Sequence, residues 1–246
     1  MILITRPKID EKILVDQLYR KKINYSFQPL ITFKFLKKNI LLKKNKIFII
    51  GSRQAVSSLR ESKNNFNEIL KKGEFIVIGK KVKKALVALG VKSIIRSFNN
   101  SDALIQYLTR NKKYLDVQLE YLCGSVINED FISSLKSNKF KISKKIIYQV
   151  KPVKNLFLKN RKLIKQRKIK IVLFYSVYAS KIFLKLIKKY NLTSDAYQLY
   201  AICFSKRIAT AVKDQRFIKE TNIFSVTQPD HTNMIKKIQS IISIKL

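Results

Sequence analysis

The sequence predicts an α/β protein of two similar lobes, each a parallel sheet flanked by helices, joined by a two-stranded antiparallel linker. Three observations predict it. Short apolar runs of strand length alternate with amphipathic stretches of helix length along the chain, as a parallel sheet covered on both faces requires. The pattern occurs twice: IFIIGSRQAV (47–56) lies without gaps over IVLFYSVYAS (171–180), placing Ser52 on Ser176. The step from Ser52 to Gly79 and the step from Ser176 to Cys203 are both 27 residues, so the match is an internal repeat. The third observation is KIIYQVKPV (145–153), an extended segment in which Ile146, Ile147 and Val150 are β-branched and Pro152 blocks a helix. It reads as a return path between lobes. The N-terminal βα unit cannot stand alone and is assigned to the second repeat. One discontinuous lobe then comprises residues 1–33 plus 152–246. Residues 37–144 form the inserted lobe, and 27–36 and 141–153 the linker strands.

In order, residues 2–5 form a strand that stops at Pro7. Asp10 opens a helix to about Lys22, with Ile13, Leu14, Gln17 and Leu18 along one stripe. Residues 25–35 are extended and interrupted by Pro29, the expected partner of the return segment. Strand 47–50 leads through Gly51-Ser52-Arg53 into a helix over 54–60. Strand 75–78, Gly79 and a helix to Leu89 follow, closed by Gly90. Residues 92–96 are a strand, Ser101-Asp102 cap a helix to about Arg110, 119–123 are a strand turning at Gly124, and 127–136 are a helix before the return. The second repeat gives strand 171–175, Ser176 and a helix to about Tyr190. Strand 199–203, Ser205 and helix 206–213 come next, then strand 223–226. Pro229-Asp230 open a last helix containing Met234, Ile235, Ile238, Ile241 and Ile242.

Composition narrows the class. With 246 residues and 46% hydrophobic side chains, the chain can bury real cores. Its formal charge of +37 suits nucleic acid, an anionic membrane or a polyanionic ligand. The basic residues are spread along the chain, however, and only ten of the 52 are Arg. Lys, Ile and Asn are abundant together, as an A+T-biased genome would write onto solvated faces. Cys123 and Cys203 each end an apolar run and read as buried thiols, not as a disulfide framework or metal cluster. The first apolar run is too short for a signal peptide, and no stretch approaches the ~20 apolar residues of a membrane span. The expectation is a cytoplasmic protein.

GxGxxG, Walker A and GxSxG motifs are absent from the sequence, so the usual phosphate cradles and the hydrolase elbow do not apply. The single His, His231, reads as a solvated residue near a helix start. What remains is a set of strand-to-helix turns bearing small hydroxyls: Ser52, Ser176 and Ser205. Ligands of α/β sheets bind beyond the carboxyl ends of the strands, where helix N-termini offer backbone N–H groups. Each Ser can cap its helix or donate to a ligand carboxylate. Gly79 allows close backbone approach or fits a tight turn. Tyr148, on the return segment, either packs as strand aromatics do or faces the space between the lobes.

The order ILITRP, IFIIGSRQAV, FIVIGKKVKKALVALGV, SDALIQYL, LEYLCG, IIYQVKP, IVLFYSVYAS, AICFSKRIATAV resembles uroporphyrinogen-III synthase over essentially the whole chain. No single motif is specific; the eight in sequence carry the likeness. The resemblance implies two α/β lobes joined by a two-strand ladder with the active site in the cleft, and no metal or organic cofactor. It implies cyclisation of hydroxymethylbilane, a linear tetrapyrrole with eight carboxylates, to uroporphyrinogen III. Loss of the terminal hydroxyl gives an azafulvene, the last ring attacks through its substituted carbon, and a spiro intermediate reopens with that ring inverted.

By the same resemblance Tyr148 falls on the family's Tyr and is the candidate general acid, a phenol protonated at neutral pH. Ser52, Ser176, Ser205 and Arg6 are candidate substrate contacts on the same ground, with Arg6 open to a structural ion-pair role instead, and Gly79 is one from its place in a strand-to-helix turn. The chain departs from the family at Val82, where Thr is common, and at Cys203-Phe204, where some members have Gly-Pro. The expected partners are the linear tetrapyrrole and transient hand-over from the bilane-forming enzyme, with no specific nucleic acid, no membrane and a monomeric state. The rival readings are a polyanion or nucleic-acid binding module on the same scaffold, and a chain that keeps the fold without the activity.

Overall fold

A computed structural model describes residues 1–6, 11–61, 66–127 and 129–245. The expected stop at Pro7 and the helix start at Asp10 lie outside the described residues. The chain divides into two compact units, Met1–Thr32 with Pro152–Leu246, and Phe33–Lys151.

The chain enters the first unit through β1 (Ile2–Ile4), α1 (Lys12–Arg20) and β2 (Tyr25–Phe27), then leaves it along β3 (Ile31–Phe35). The second unit runs β4 (Lys46–Ile50), α2 (Arg53–Arg60), α3 (Phe66–Lys72), β5 (Glu74–Ile78), α4 (Lys80–Ala88) and β6 (Ser93–Phe98). It continues with α5 (Ser101–Arg110), β7 (Gln118–Gly124), α6 (Glu129–Ser137) and the long β8 (Ile142–Pro152). The first unit resumes with α7 (Leu158–Lys165), β9 (Ile171–Phe174), α8 (Val177–Lys189), α9 (Thr193–Tyr197) and β10 (Tyr200–Cys203). It ends with α10 (Lys206–Asp214), β11 (Ile223–Ser225) and α11 (His231–Lys245).

The first unit's sheet is all parallel, in the order β11-β10-β9-β1-β2. In the second unit β8-β7-β4-β5-β6 are parallel, with β3 on the edge beside β8. Two flanking bonds fix the sense of β3 against β8: Val153 N–H donates to Leu30 C=O and Leu36 N–H to Ile147 C=O, at 3.0 and 2.9 Å. Numbers rise on one side as they fall on the other, so this pair is antiparallel.

Strands buried on both faces alternate between two cores. In β9, Val172 and Phe174 join the core under α8 and α10. Ile171 and Leu173 join the core under α1 and α11. In β4, Phe48 and Ile50 pack with α2, α3 and α4, while Ile47 and Ile49 pack with α5 and α6. Each fully buried Leu, Ile or Phe contributes about 1.5–3 kcal/mol of transfer free energy.

The repeat reaches further than the aligned stretches. Position by position, β2-β1-β9-β10-β11 corresponds to β8-β7-β4-β5-β6. The N-terminal β1-α1-β2 therefore occupies the places that β7-α6-β8 fills in the second unit, although one precedes its repeat in the chain and the other follows. One expected cap and one expected turn differ. Asn100, not Ser101-Asp102, accepts from the Ala103 N–H at 2.9 Å and caps α5. Gly124 is the last residue of β7 rather than a turn. Gly90 closes α4 as expected, with φ 88°, in the left-handed region glycine tolerates.

Candidate active site

The three serines sit just past the carboxyl ends of β4, β9 and β10, and each is a helix N-cap in extended conformation. Ser52 Oγ accepts from Ala55 N–H at 3.0 Å, Ser176 Oγ from Ala179 N–H at 3.1 Å and Ser205 Oγ from Ile208 N–H at 3.4 Å. Capping uses the oxygen as acceptor and leaves each hydroxyl its own proton to donate. Gly79 opens α4 with φ 99°, and its N–H already donates to Phe98 C=O at 2.7 Å. The glycine is there because the turn needs that backbone conformation, and its amide is engaged within the protein.

Within the second unit the structure brings Ser52 and Tyr148 together: their hydroxyl oxygens are 3.1 Å apart. A register shift in the β7–β8 ladder produces this contact. Cys123 pairs with Ile146 but Gly124 pairs with Tyr148, so Ile147 is an extra residue. Without the bulge, Ile147 and Tyr148 would point to opposite faces. With it, both join the core beneath α2, an example of a bulge re-aiming a side chain.

The Tyr148 ring is 7% exposed, so it is not displayed as a phenol facing open space. Phe33 meets it edge-on at 5.9 Å between centroids. Burial pushes the phenol's pKa up, and the Ser52 hydrogen bond pulls it part of the way back. The group therefore keeps its proton at neutral pH while its anion retains a stabilising partner.

Sequence reasoning missed Gly124. A Cβ built there would lie 2.5 Å from two Tyr148 ring carbons, so only glycine lets the ring lie against β7. The signal was present as a glycine ending an apolar strand, but nothing in the sequence paired it with Tyr148. Tyr121, also on β7, was missed too. A Cβ at Gly51 would come 3.7 Å from its hydroxyl, and burial pushes its pKa up to about 12.

In the first unit, Arg6 follows β1 and is partly exposed. Its guanidinium carbon lies 4.5 Å from the Tyr175 ring centroid and 5.8 Å from that of Phe204. Its Nη1 is 3.4 Å from Glu11 Oε1. The Tyr175 hydroxyl donates to Glu11 Oε2 at 2.8 Å. His231 is not a solvated residue: it is 9% exposed, with Nδ1 3.6 Å from Glu11 Oε2. The cap of α11 is Asp230, whose Oδ1 accepts from Asn233 N–H at 2.8 Å. Ser176 and Ser205 flank this cluster in sequence, following Tyr175 and Phe204. Both cysteines are buried, and burial raises their thiols, Cys123 to about 11 and Cys203 to about 12. Both are thus held as unreactive thiols at neutral pH. A groove of about 500 Å³ lies at the amino ends of β7 and β8, lined by Asn45, Gln118, Lys141 and Ser143 among others. It holds none of the predicted residues.

The family model for uroporphyrinogen-III synthase HemD matches residues 12–221. The chain belongs to the uroporphyrinogen-III synthase family. Its activity is accordingly a lyase step of haem biosynthesis on a tetrapyrrole substrate. Two solved uroporphyrinogen-III synthases share the fold. That from Helicobacter pylori 26695 is 16% identical, with a TM-score of 0.69 and 98% of each chain covered. A mutant uroporphyrinogen III synthase from the extremely thermophilic bacterium Thermus thermophilus is 10% identical, with a TM-score of 0.59 and again 98% of each chain covered. No curated protein matches the chain in sequence. Among the described residues no helix is long and apolar enough to cross a membrane.

Proposed function

We propose that this uroporphyrinogen-III synthase uses Tyr148 as the proton donor that releases the terminal hydroxyl of hydroxymethylbilane as water. The observation that carries the reading is the Ser52–Tyr148 contact of 3.1 Å at the N-terminus of α2. In this reading Ser52 accepts the Ala55 N–H and donates its own hydrogen bond to the Tyr148 oxygen, leaving the phenolic proton to point at the leaving group. As the C–O bond breaks, the pyrrole nitrogen's electrons form the azafulvenium cation, whose charge balances the Tyr148 phenolate. The proton goes from Tyr148 to the departing hydroxide, so one water leaves. The positive end of α2 favours the phenolate left behind. The N–H proton then returns to the phenolate, leaving the neutral azafulvene and a regenerated phenol.

The substituted carbon of the last ring then attacks, and the spiro intermediate reopens and recloses with that ring inverted. Bilane cyclises unaided to the type I isomer, so the protein's main task is to hold the chain in the conformation that inverts. Ser176, Ser205 and Arg6, all in the first unit, supply carboxylate contacts for that purpose. We further propose a cytoplasmic, monomeric enzyme that receives its unstable substrate directly from the bilane-forming enzyme.

The test is product analysis: purified protein with fresh bilane yields the type III isomer, and type I alone would reject the reading. Tyr148→Phe should retain the fold and lose about 10²–10⁴-fold in kcat.

A further inference from the structure

Arg6 is held more tightly than a surface arginine needs to be. The strand end from which it departs is pinned by Thr5, buried, whose hydroxyl donates to Leu173 C=O across 168 residues at 2.6 Å. The guanidinium lies over Tyr175, with Phe204 beside it, and those two rings are themselves 5.4 Å apart. Glu11, wholly buried, divides its carboxylate: one oxygen faces Arg6, and the other accepts the Tyr175 hydroxyl and lies near His231. Tyr175 is kept protonated for that role, because burial and the adjacent carboxylate raise its pKa well above the usual phenol range. The Arg6 side chain is still 35% exposed, and a guanidinium has five N–H donors. Among the described residues Glu11 meets it at Nη1, 3.4 Å away, and the exposed part of the side chain is open to a second carboxylate.

We infer that Tyr175, Glu11 and Phe204 are positioning residues that hold Arg6 as a rigid fork for one carboxylate side chain of the tetrapyrrole. The inference rests on the proposed reaction for the identity of that carboxylate. It gives Phe204 a use: its ring stands beside the cation, 5.8 Å from the guanidinium carbon. Stacking and a bidentate edge are properties of guanidinium that an ammonium does not reproduce. A planar cation already immobilised loses little side-chain entropy when the ligand arrives.

The opposing account makes Arg6 only the counter-ion of a buried Glu11. The two separate under steady-state kinetics with bilane. Arg6→Lys keeps a positive charge for Glu11 but loses the fork and the stack. Tyr175→Phe keeps the ring and loses only the hydroxyl that fixes Glu11. Losing a charge-assisted hydrogen bond corresponds to about 10- to 100-fold in affinity. Arg6→Lys is therefore expected to raise KM by about that factor, and Tyr175→Phe by a smaller one, with kcat changing less than KM in both. The double variant should be no worse than Arg6→Lys alone. An unchanged KM in folded Arg6→Lys would overturn the proposal, and so would a Tyr175→Phe effect that adds in full to it. Type I product alone from the wild-type protein would instead reject the reaction on which the inference stands.

Discussion

Substituting alanine for Gly124 tests the catalytic assignment through a residue that touches no substrate in the proposed mechanism. The added methyl would sit 2.5 Å from the Cε2 and Cζ atoms of Tyr148 and 2.9 Å from its hydroxyl. Ordinary carbon contacts begin near 3.4 Å, so the ring must retreat by about 1 Å, and a 1 Å misplacement of a catalytic group costs on the order of 10²-fold in rate. Retreat is constrained because Phe33 backs the ring and Ile147 is fixed in the same core. Overpacking at such a site destabilises by about 1–3 kcal/mol, so urea unfolding must first establish that the variant is folded. The assay is the initial rate of type III formation, with chromatographic separation of type I. The variant should show kcat lowered about 100-fold and a rising share of type I as unaided cyclisation competes. Adding Tyr148→Phe should then lower kcat little further. Unchanged kcat in a folded Gly124→Ala protein would refute the claim that the placement of the Tyr148 hydroxyl governs the reaction.

Ser52→Ala should destabilise the protein by about 1 kcal/mol through loss of the α2 cap and should also lower kcat. Asn100→Ala, which removes the cap of α5, should match the stability loss and leave kcat unchanged, so equal kcat values for the two would undercut the Ser52–Tyr148 pairing. Gly79→Ala forces a side chain into a φ of 99° and should cost roughly 1–3 kcal/mol, read as a lower urea midpoint. The Cys203 thiol, raised from 9.0 to about 12, holds its proton in the folded chain after the unfolded chain has lost it. Its contribution is thus full below pH about 9 and declines as pH rises towards 12. The stability difference between wild type and Cys203→Ala should shift against the wild type across that window, by at most about 4 kcal/mol; a constant difference would contradict the buried, protonated thiol.

The sheets were legible because parallel strands buried on both faces leave unbroken apolar runs, as in Ile47–Ile50 of β4 and in β9. The turns were legible because serine after such a run has a local use as a cap. Three helices escaped. α3 and α9 are shorter than two full turns or barely reach them, and α7, LKNRKLIK, carries too much lysine and arginine for its buried Ile164 to mark a face. The bulge at Ile147 escaped because IIYQV is apolar and β-branched whether or not a residue is extra. His231 and Glu11 escaped for a different reason. Each is polar and locally unremarked, and their burial follows from a meeting between the last helix and a residue near the chain start, which no local pattern encodes. The site residues that cap their own helices were therefore readable, and those defined by distant partners were not.

The way β1 enters its sheet bears on the order of events during synthesis. Its neighbours are β2, made moments later, and β9, which begins at Ile171. At translation speeds of ~5–20 residues per second, β1 waits on the order of ten seconds or more for that second neighbour. The contiguous span Phe33–Lys151 can complete itself on the ribosome in the meantime. Until the downstream half emerges, the apolar ILI stretch of β1 has β2 on one side and lacks its β9 neighbour on the other. A chaperone that shields short hydrophobic strands would have its longest opportunity there.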